Sequence, residues 1–182
     1  MYNKEEAWNI FNEADLICSA DFVLNTVHQM AGDIIARVGD SYPLVLSVMG
    51  GAVVFTGHLL PLLKFPLDFD YIHASRYGNE TVGTELNWKV MPTEKVEGRT
   101  VLVLDDILDE GHTLAAIKEK IMALGARACY NAVLAEKDTG QKKPIEADFV
   151  GMKLPNRYVF GFGMDVKGMW RNLPAIYAVK NS

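Results

Sequence analysis

Apolar residues recur at three- and four-residue steps between residues 19 and 38, which is the period of a helix with one buried face. Ser19 is placed to cap this helix and Gly39 to end it. Continuous apolar runs elsewhere have the pattern of strands that are buried on both faces, as in a parallel sheet. These runs span residues 43–48, 100–104 and 129–134.

The segments around these runs complete an alternating order of strands and helices. Further helices are expected over residues 4–14, 52–63 and about 113–124. Residues 67–72 alternate apolar and acidic side chains, which predicts a strand with one solvated face, and residues 88–91 predict a short return strand. The order predicts right-handed crossovers and an α/β fold, a twisted, mostly parallel sheet flanked by helices.

The pattern changes after Lys137. Residues 138–147 are polar, and only short strands are expected beyond them, at 149–151, 158–162 and 176–179. Residues 75–86 contain two glycines and show no period, which is typical of a loop long enough to act as a mobile lid. We therefore expect one domain over residues 1–182. It has a core at 15–137 with a lid at about 75–86, and a small C-terminal hood subdomain at 138–182.

The charge of the chain is unevenly distributed. The 182 residues carry a formal net charge of -5, but residues 1–136 carry -9 and residues 137–182 carry +4. The overall acidity argues against binding of a nucleic acid, whose phosphates need a basic face. A small anion needs only a few local charges, so the basic C-terminal quarter is a candidate for binding one.

The two cysteines and the N-terminal sequence bear on the cellular compartment of the protein. Cys18 and Cys129 lie in apolar surroundings, which favours buried thiols over nucleophiles, and two cysteines do not make a disulfide-based scaffold. No signal peptide is visible at the acidic N-terminus. No apolar run approaches the roughly 18 residues of a membrane span. These features predict a cytoplasmic protein without a membrane partner.

Candidate chemistry follows the apolar run at 100–104. Asp105, Asp106 and Asp109 come next, and Gly111 and Thr113 stand at a helix start. Ligands of open α/β sheets bind beyond the carboxyl ends of the strands. A helix N-terminus binds phosphate, and carboxylates accept hydrogen bonds from sugar hydroxyls or coordinate a metal. The segment therefore predicts a ligand such as ribose 5-phosphate. The alternative is that Asp109 only caps the helix and the other two acids are solvated.

Other phosphate-binding and catalytic patterns are absent from the sequence. It contains no GxxxxGK[ST], and Gly161-Phe162-Gly163 lacks the third glycine of GxGxxG because Val166 stands there. The four histidines lack zinc spacing, and there is no GxSxG.

Residues 101–113 resemble the signature of the type I phosphoribosyltransferases, which is four apolar residues, two acidic residues and a D-[TE]-G-x-T-like turn. Residues 48–51 resemble the family's pyrophosphate loop. Residues 147–165 and 170–174 resemble the purine hood of hypoxanthine(-guanine) phosphoribosyltransferases. The resemblance covers about residues 15–180 and implies the type I phosphoribosyltransferase fold.

The resemblance implies a purine salvage enzyme that uses magnesium. It would make IMP from hypoxanthine and phosphoribosyl pyrophosphate, and GMP where guanine is also accepted, with release of pyrophosphate. Two alternatives stay open: an enzyme that prefers guanine or xanthine, and a non-catalytic regulator that binds phosphoribosyl pyrophosphate. The family is usually a homodimer or homotetramer, and no nucleic-acid partner is implied.

The resemblance also assigns roles on the ribose side of the site. Asp105 and Asp106 would bind the ribose hydroxyls and magnesium, with Asp165 as a further magnesium ligand. Asp109 would assist deprotonation of the purine imidazole nitrogen. The backbone of one segment would hold the 5-phosphate: Asp109, Glu110, Gly111, His112 and Thr113.

On the base side, Lys137 would donate to the 6-oxo group and Tyr158 would stack on the ring. The Val159 backbone would contact the purine edge. Arg157, which aligns with a lysine of the family, would also belong to the purine-binding set. Without the family match, Tyr158 would be assigned to the core and the basic residues to a solvated surface.

The pyrophosphate side has the largest departures from the family pattern. The residues implied there are Met49, Gly50, Gly51, Arg76 and Arg171, and the Met49–Gly50 peptide is expected to be cis. Met49 replaces a lysine or other polar residue, and Arg76 replaces the serine of the Ser-Tyr pair in the lid. Glu110 replaces Thr or Ser beside the 5-phosphate, so we expect its carboxylate to point outward.

Overall fold

The structure is a computed structural model that describes residues 3–76 and 86–180; the side chains of residues 75, 76 and 86 are not described. The helices are α1 (Lys4–Glu13), α2 (Ala20–Val38), α3 (Val53–Leu59) and α4 (His112–Ala123). The strands are β1 (Asp15–Cys18), β2 (Leu44–Val48), β3 (Asp68–Arg76), β4 (Leu86–Val90), β5 (Thr100–Leu108), β6 (Ala128–Lys137), β7 (Phe149–Leu154), β8 (Val159–Phe160) and β9 (Ile176–Ala178).

A six-stranded sheet forms the centre, in the order β4-β3-β2-β5-β6-β7. All neighbours are parallel except β4, which pairs antiparallel with β3 at one edge. Leu102 and Leu104 of β5 pack with α2 and α3 on one face, and Val101 and Val103 pack with α4 on the other. Burial on both faces explains the continuous apolar runs. The predicted mostly parallel α/β sheet is confirmed.

A second, antiparallel sheet of three strands forms the hood, in the order β1-β9-β8. It differs from the hood expected at residues 138–182. The strand β7 instead extends the central sheet beside β6, and the early strand β1 joins the hood. The pairing of β1 with β9 joins residues about 160 positions apart, and no local pattern signals such a contact.

The helix α1 packs on the hood through aromatic rings. The Trp170 ring centroid lies 5.2 Å from those of Trp8 and Phe11. The Trp170 indole N–H donates to the carbonyl of Ala7 at 2.9 Å. The first helix thereby supports the segment between Asp165 and Arg171.

Both ends of α2 lie where the sequence predicts them. The Ser19 side chain accepts from the N–H of Phe22, which confirms the N-cap. Gly39, however, keeps right-handed helical geometry and starts a 3-10 turn that ends at Ser41. The left-handed residue is Tyr42, with φ 46°. The α-helix ends at Val38 with Gly39 as its C-cap, so the expected stop at Gly39 is confirmed, and the left-handed residue follows three positions later.

The strand β3 has the expected solvated face, but aromatic residues occupy it. Phe69 and Tyr71 are each 43% exposed, while Asp70 is buried. The Asp70 carboxylate accepts hydrogen bonds from the N–H and hydroxyl of Thr93 and from the N–H of Glu94. Burial raises the pKa of Asp70, but these bonds and one from the Tyr71 N–H outweigh it and lower the pKa overall.

The two cysteines are free. Cys129 is buried, and burial raises the pKa of its thiol to about 11, which confirms the interpretation as an unreactive core thiol. Cys18 is only partly buried, and burial also raises its pKa. Among the residues described, no helix is long and apolar enough to cross a membrane.

Asn131 of β6 provides a test of core energetics. It is fully buried, and no described residue forms a hydrogen bond with its side-chain nitrogen or oxygen. Because an unsatisfied buried amide is costly, Asn131→Val is expected to raise the free energy of unfolding by about 1–3 kcal/mol. Urea denaturation measures this change.

The matched control is Ser47→Ala. The buried Ser47 hydroxyl is hydrogen-bonded to that of Thr56 at 2.8 Å, so its loss should lower stability by about 1 kcal/mol. A lower free energy of unfolding for Asn131→Val would contradict the interpretation that the Asn131 amide forms no hydrogen bond in the folded protein.

Candidate functional site

The acidic pair of the signature lies within β5 and not after it. The strand continues to Leu108, and Asp105 is still paired with Val133 of β6. Burial raises the pKa of both Asp105 and Asp106; for Asp105 the neighbouring carboxylate raises it further. Each carboxylate accepts one backbone hydrogen bond, from the N–H of the residue that follows it, but the raised pKa values indicate that further positive charge and donors are needed to hold both groups ionised. A cation or sugar hydroxyls would supply these, so the alternative of two solvated acids is wrong.

The loop after β5 forms a pocket at the start of α4. Gly111 directly precedes the helix with φ +85°, and a Cβ there would lie 3.3 Å from side-chain atoms of Leu108 and Ile145. The positive φ favours glycine here, and a Cβ would also force small shifts of these two side chains. The first turn of α4 leaves backbone N–H groups available to an anion. A cavity of about 250 Å³ is lined by Asp105, Ile107, Leu108, Asp109, Glu110, Gly111, Thr113 and Leu114.

Glu110 stands at the tip of this loop. It is exposed, as expected for a carboxylate beside a phosphate site, and it also contributes to the lining of the cavity. His112, the first residue of α4, is exposed as well.

A second cavity of about 250 Å³ adjoins the first and shares Ile107 and Asp109 with it. Its remaining lining is Asp106, Lys137, Tyr158, Val159, Met164 and Asp165. The structure therefore brings together four of the five residues expected to contact the purine. Tyr158 is 51% exposed, which excludes the alternative of a core aromatic.

Lys137 and Asp109 face each other in this second cavity. Lys137 ends β6 and Asp109 follows the end of the neighbouring β5. The Lys137 ammonium is 2.5 Å from the Asp109 carboxylate. Lys137 is largely buried, so the interpretation as a surface lysine is wrong. A base that enters between these two groups must separate them.

The loop after β2 completes the site on its pyrophosphate side. The Met49–Gly50 peptide is cis, as expected. A Cβ on Gly51 would lie 2.1 Å from the Asp106 carboxylate, and one on Gly163 would lie 2.0 Å from the Gly51 carbonyl. The loop, the acidic pair and the hood thus meet through two glycines.

Two charged residues in the segment between β8 and β9 are paired with each other. Arg171 lies 2.6 Å from one Asp165 carboxylate oxygen and donates to the Gly163 carbonyl at 2.7 Å. The other Asp165 oxygen accepts from the Gly168 N–H at 2.6 Å. Asp165 lies between two tight turns and not inside a strand. Among the residues that the structure describes, no three His, Cys, Asp or Glu side chains form a group that could hold a metal ion.

Of two further expected site residues, one lies away from the second cavity and the side chain of the other is outside the residues that the structure describes. The Arg157 guanidinium donates to the Asp15 carboxylate at 2.7 Å and to the Val179 carbonyl at 2.8 Å, so it joins strands of the hood and does not line the purine cavity. The Arg76 side chain and residues 77–85, which make up most of the expected lid, are outside the described residues.

Sequence comparison agrees with this geometry. The model of the phosphoribosyl transferase domain family matches residues 20–167, most of the chain. The chain belongs to this family.

Similar members of the phosphoribosyl transferase family are known from several organisms. A hypoxanthine-guanine phosphoribosyltransferase of Bacillus subtilis (strain 168) is 32% identical over 166 residues, covering 91% of this chain and 92% of the relative. A hypoxanthine-guanine-xanthine phosphoribosyltransferase of Tritrichomonas foetus is 32% identical over 92% of each chain. The crystal structure of a hypoxanthine phosphoribosyltransferase from Staphylococcus aureus superposes with a TM-score of 0.88 at 25% identity, covering 94% of this chain and 95% of that one.

Some features of the site in this family member left no signal in the sequence pattern. In the sequence, Gly163 belongs only to an incomplete nucleotide-binding motif, although in the structure it provides room for the Gly51 carbonyl. Lys143 belongs to a segment whose composition predicts only a polar loop, yet its ammonium is enclosed by the site's backbone. A steric role of glycine and burial of a lysine both depend on residues distant in sequence.

Proposed function

We propose that the chain transfers the 5-phosphoribosyl group of phosphoribosyl pyrophosphate to hypoxanthine, with guanine as a second base, and so works in purine salvage. The observation that carries this proposal is the pair of adjoining cavities that share Asp109. The first offers the N-terminus of α4 and Asp105, which suit a ribose 5-phosphate. The second offers Lys137 and Tyr158, which suit a 6-oxopurine.

The side chains of the second cavity explain how the base is selected and activated. The Lys137 ammonium donates to the 6-oxo group, whereas the 6-amino group of adenine offers a second donor and is rejected. Asp109 accepts the proton of the imidazole nitrogen that attacks the sugar carbon. As the bond to pyrophosphate breaks, negative charge builds on the leaving group, where Arg171 and the backbone at Gly50 and Gly51 stabilise it.

Magnesium fits the acidic side of this site. Asp105 and Asp106 are carboxyls with raised pKa values, and Asp165 lies across the second cavity. Magnesium in proteins is commonly held by one or two carboxylates together with substrate phosphates, which agrees with the absence of a three-residue cluster among the described residues. The ion would neutralise charge on the pyrophosphate.

Removal of magnesium is expected to abolish turnover. Excess chelator should reduce nucleotide formation to background, and addition of magnesium should restore it, because the leaving group needs its charge neutralised. A coupled assay for pyrophosphate measures this. Turnover that persists in excess chelator would contradict a metal requirement, while the binding of phosphoribosyl pyrophosphate, followed by calorimetry, reports whether the donor site survives.

The preference among 6-oxopurines is a finer question. The contact from Lys137 to the 6-oxo group suits hypoxanthine, guanine and xanthine alike, and the Tritrichomonas foetus relative is named for all three. An enzyme that prefers guanine or xanthine is therefore the second candidate. Formation of one nucleotide and one pyrophosphate per hypoxanthine consumed tests the main proposal, whereas donor binding without product would indicate a regulator.

We also propose a homodimer in the cytoplasm. Phe69 and Tyr71, two positions apart on β3, and Val53, the first residue of α3, are large side chains with 43–46% exposure. Exposed large apolar side chains are enriched at subunit interfaces. The cytoplasm keeps the free thiols of Cys18 and Cys129 reduced.

The oligomer predicts a specific effect of charge on this surface. The double variant Phe69→Lys and Tyr71→Lys should sediment as a monomer of the 20.2 kDa chain, because buried unpaired charge disfavours association. The control Phe22→Lys changes an aromatic residue of similar exposure, 52%, at the start of α2. A double variant that keeps the oligomeric mass of the parent would place the interface elsewhere.

A further inference from the structure

The ammonium group of Lys143 is enclosed between the carboxyl ends of β5 and β6. The side chain is only 10% exposed. Its nitrogen donates to the Lys137 carbonyl at 2.6 Å, to the Leu108 carbonyl at 3.1 Å and to the Glu136 carboxylate at 3.1 Å. An ammonium has three donors, and these three acceptors match them. A buried charge that is satisfied in this way fixes the groups around it.

The two carbonyls belong to the backbone of the proposed active site. Leu108 directly precedes Asp109, and the other carbonyl is that of Lys137 itself. The regular pairing between β5 and β6 ends with Leu108 opposite Glu136. Lys143 therefore supplies cross-strand links at the point where the sheet's own hydrogen bonds stop and the two active-site side chains begin.

The segment that carries Lys143 also packs against the loop after β5. A Cβ on Gly111 would lie 3.3 Å from the Ile145 side chain and 3.4 Å from the Pro144 ring. The residues that follow Lys143 thus pack directly on the loop expected to bind the 5-phosphate. The Lys143 ammonium meets this loop at the Leu108 carbonyl, which precedes the N–H groups at the start of α4 that are expected to hold the phosphate.

We propose that Lys143 is a positioning residue for the transfer reaction, which fixes the backbone from which the Asp109 and Lys137 side chains reach a purine that enters between them. Its ammonium acts through the main chain of these residues. The inference rests on the proposed roles of Asp109 and Lys137 in binding and activating the base. It predicts that Lys143 affects the use of the base much more than the binding of the ribosyl donor.

The test is Lys143→Met, which keeps the apolar stem and removes the ammonium. The kcat/KM for hypoxanthine is expected to fall by at least about tenfold, because small misplacements of reacting groups have effects of this size. The Kd for phosphoribosyl pyrophosphate, measured by calorimetry with magnesium, is expected to stay within about twofold of the parent's. Lys143→Arg, which keeps charge and donors, should recover part of the loss.

The matched control is Lys95→Met. Lys95 is an exposed lysine whose ammonium pairs with Glu97 on the surface, and its replacement should leave both kinetics and donor binding unchanged. Thermal unfolding of each variant separates loss of fold from loss of positioning. If Lys143→Met does not fold, Lys143→Arg decides, since its altered geometry should still lower kcat/KM for hypoxanthine with donor binding intact.

Two results would overturn the proposal. One is unchanged kcat/KM in the folded variant. The other is an equal loss in base use and donor binding, which would indicate that Lys143 contacts the donor phosphates directly. A parallel Lys137→Ala variant separates this inference from the proposed function: if that variant also keeps full activity, the site assignment fails and not only the role of Lys143.

Discussion

Lys137→Ala is expected to lower kcat/KM for hypoxanthine by about 100-fold or more, because a site built to hydrogen-bond a substrate group loses that discrimination with its donor. Lys137 is largely buried at the end of β6, and its ammonium contacts the Asp109 carboxylate. The substitution removes the donor to the 6-oxo group and also leaves Asp109 without its partner. Binding of phosphoribosyl pyrophosphate, which uses the first cavity, should be kept.

Steady-state kinetics with hypoxanthine and calorimetry with the donor measure the two parts of this prediction. Lys95→Ala is the matched control, because that lysine has an exposed ion pair and lies outside both cavities. Equal turnover of Lys137→Ala and the parent would exclude the contact with the base. Equal loss of base use and donor binding would show that the lysine supports the whole site.

Gly51→Ala is expected to have a second large effect, a loss of kcat/KM of about 100-fold or more, because catalysis tolerates little misplacement of groups at the reacting centre. The new Cβ would lie 2.1 Å from the Asp106 carboxylate, whose other oxygen accepts from the Ile107 N–H. Either Asp106 must leave the position from which it is proposed to contact ribose and magnesium, or the loop at residues 48–51 must move. Overpacking of this kind also lowers stability by about 1–3 kcal/mol.

The control for this prediction is Gly57→Ala in the exposed part of α3. A Cβ there meets no atom within 4 Å, and alanine favours a helix over glycine by up to about 1 kcal/mol. Activity of the control should equal that of the parent, with equal or greater thermal stability. If Gly51→Ala were as active as Gly57→Ala, the close contact between the loop and Asp106 would have no role in catalysis.

Local sequence patterns predicted the parts of the fold that depend on local burial. The apolar runs became β2, β5 and β6, and the three- and four-residue period became α2, because each pattern reflects the faces that an element buries. The pattern at residues 67–72 predicted a strand but not which face is solvated. Asp70 is buried because Thr93 and Glu94 hydrogen-bond it, and residues more than 20 positions away do not shape a local pattern.

The candidate site was predictable where the family signature is contiguous. Asp105, Asp106 and Asp109 follow one another, and the structure places them at the two cavities as expected. The role of Arg157 was not predictable in this way. Its guanidinium pairs with Asp15, which lies 142 positions earlier, and Arg157 does not line the second cavity.

The selectivity for 6-oxopurines tests the account most directly. Purified protein with phosphoribosyl pyrophosphate and magnesium should form nucleotide from hypoxanthine and guanine. Its kcat/KM for adenine should be lower by about 10⁴-fold, because adenine places a donor against the Lys137 ammonium. Comparable rates with adenine and hypoxanthine, or no nucleotide from any of hypoxanthine, guanine and xanthine, would contradict the account.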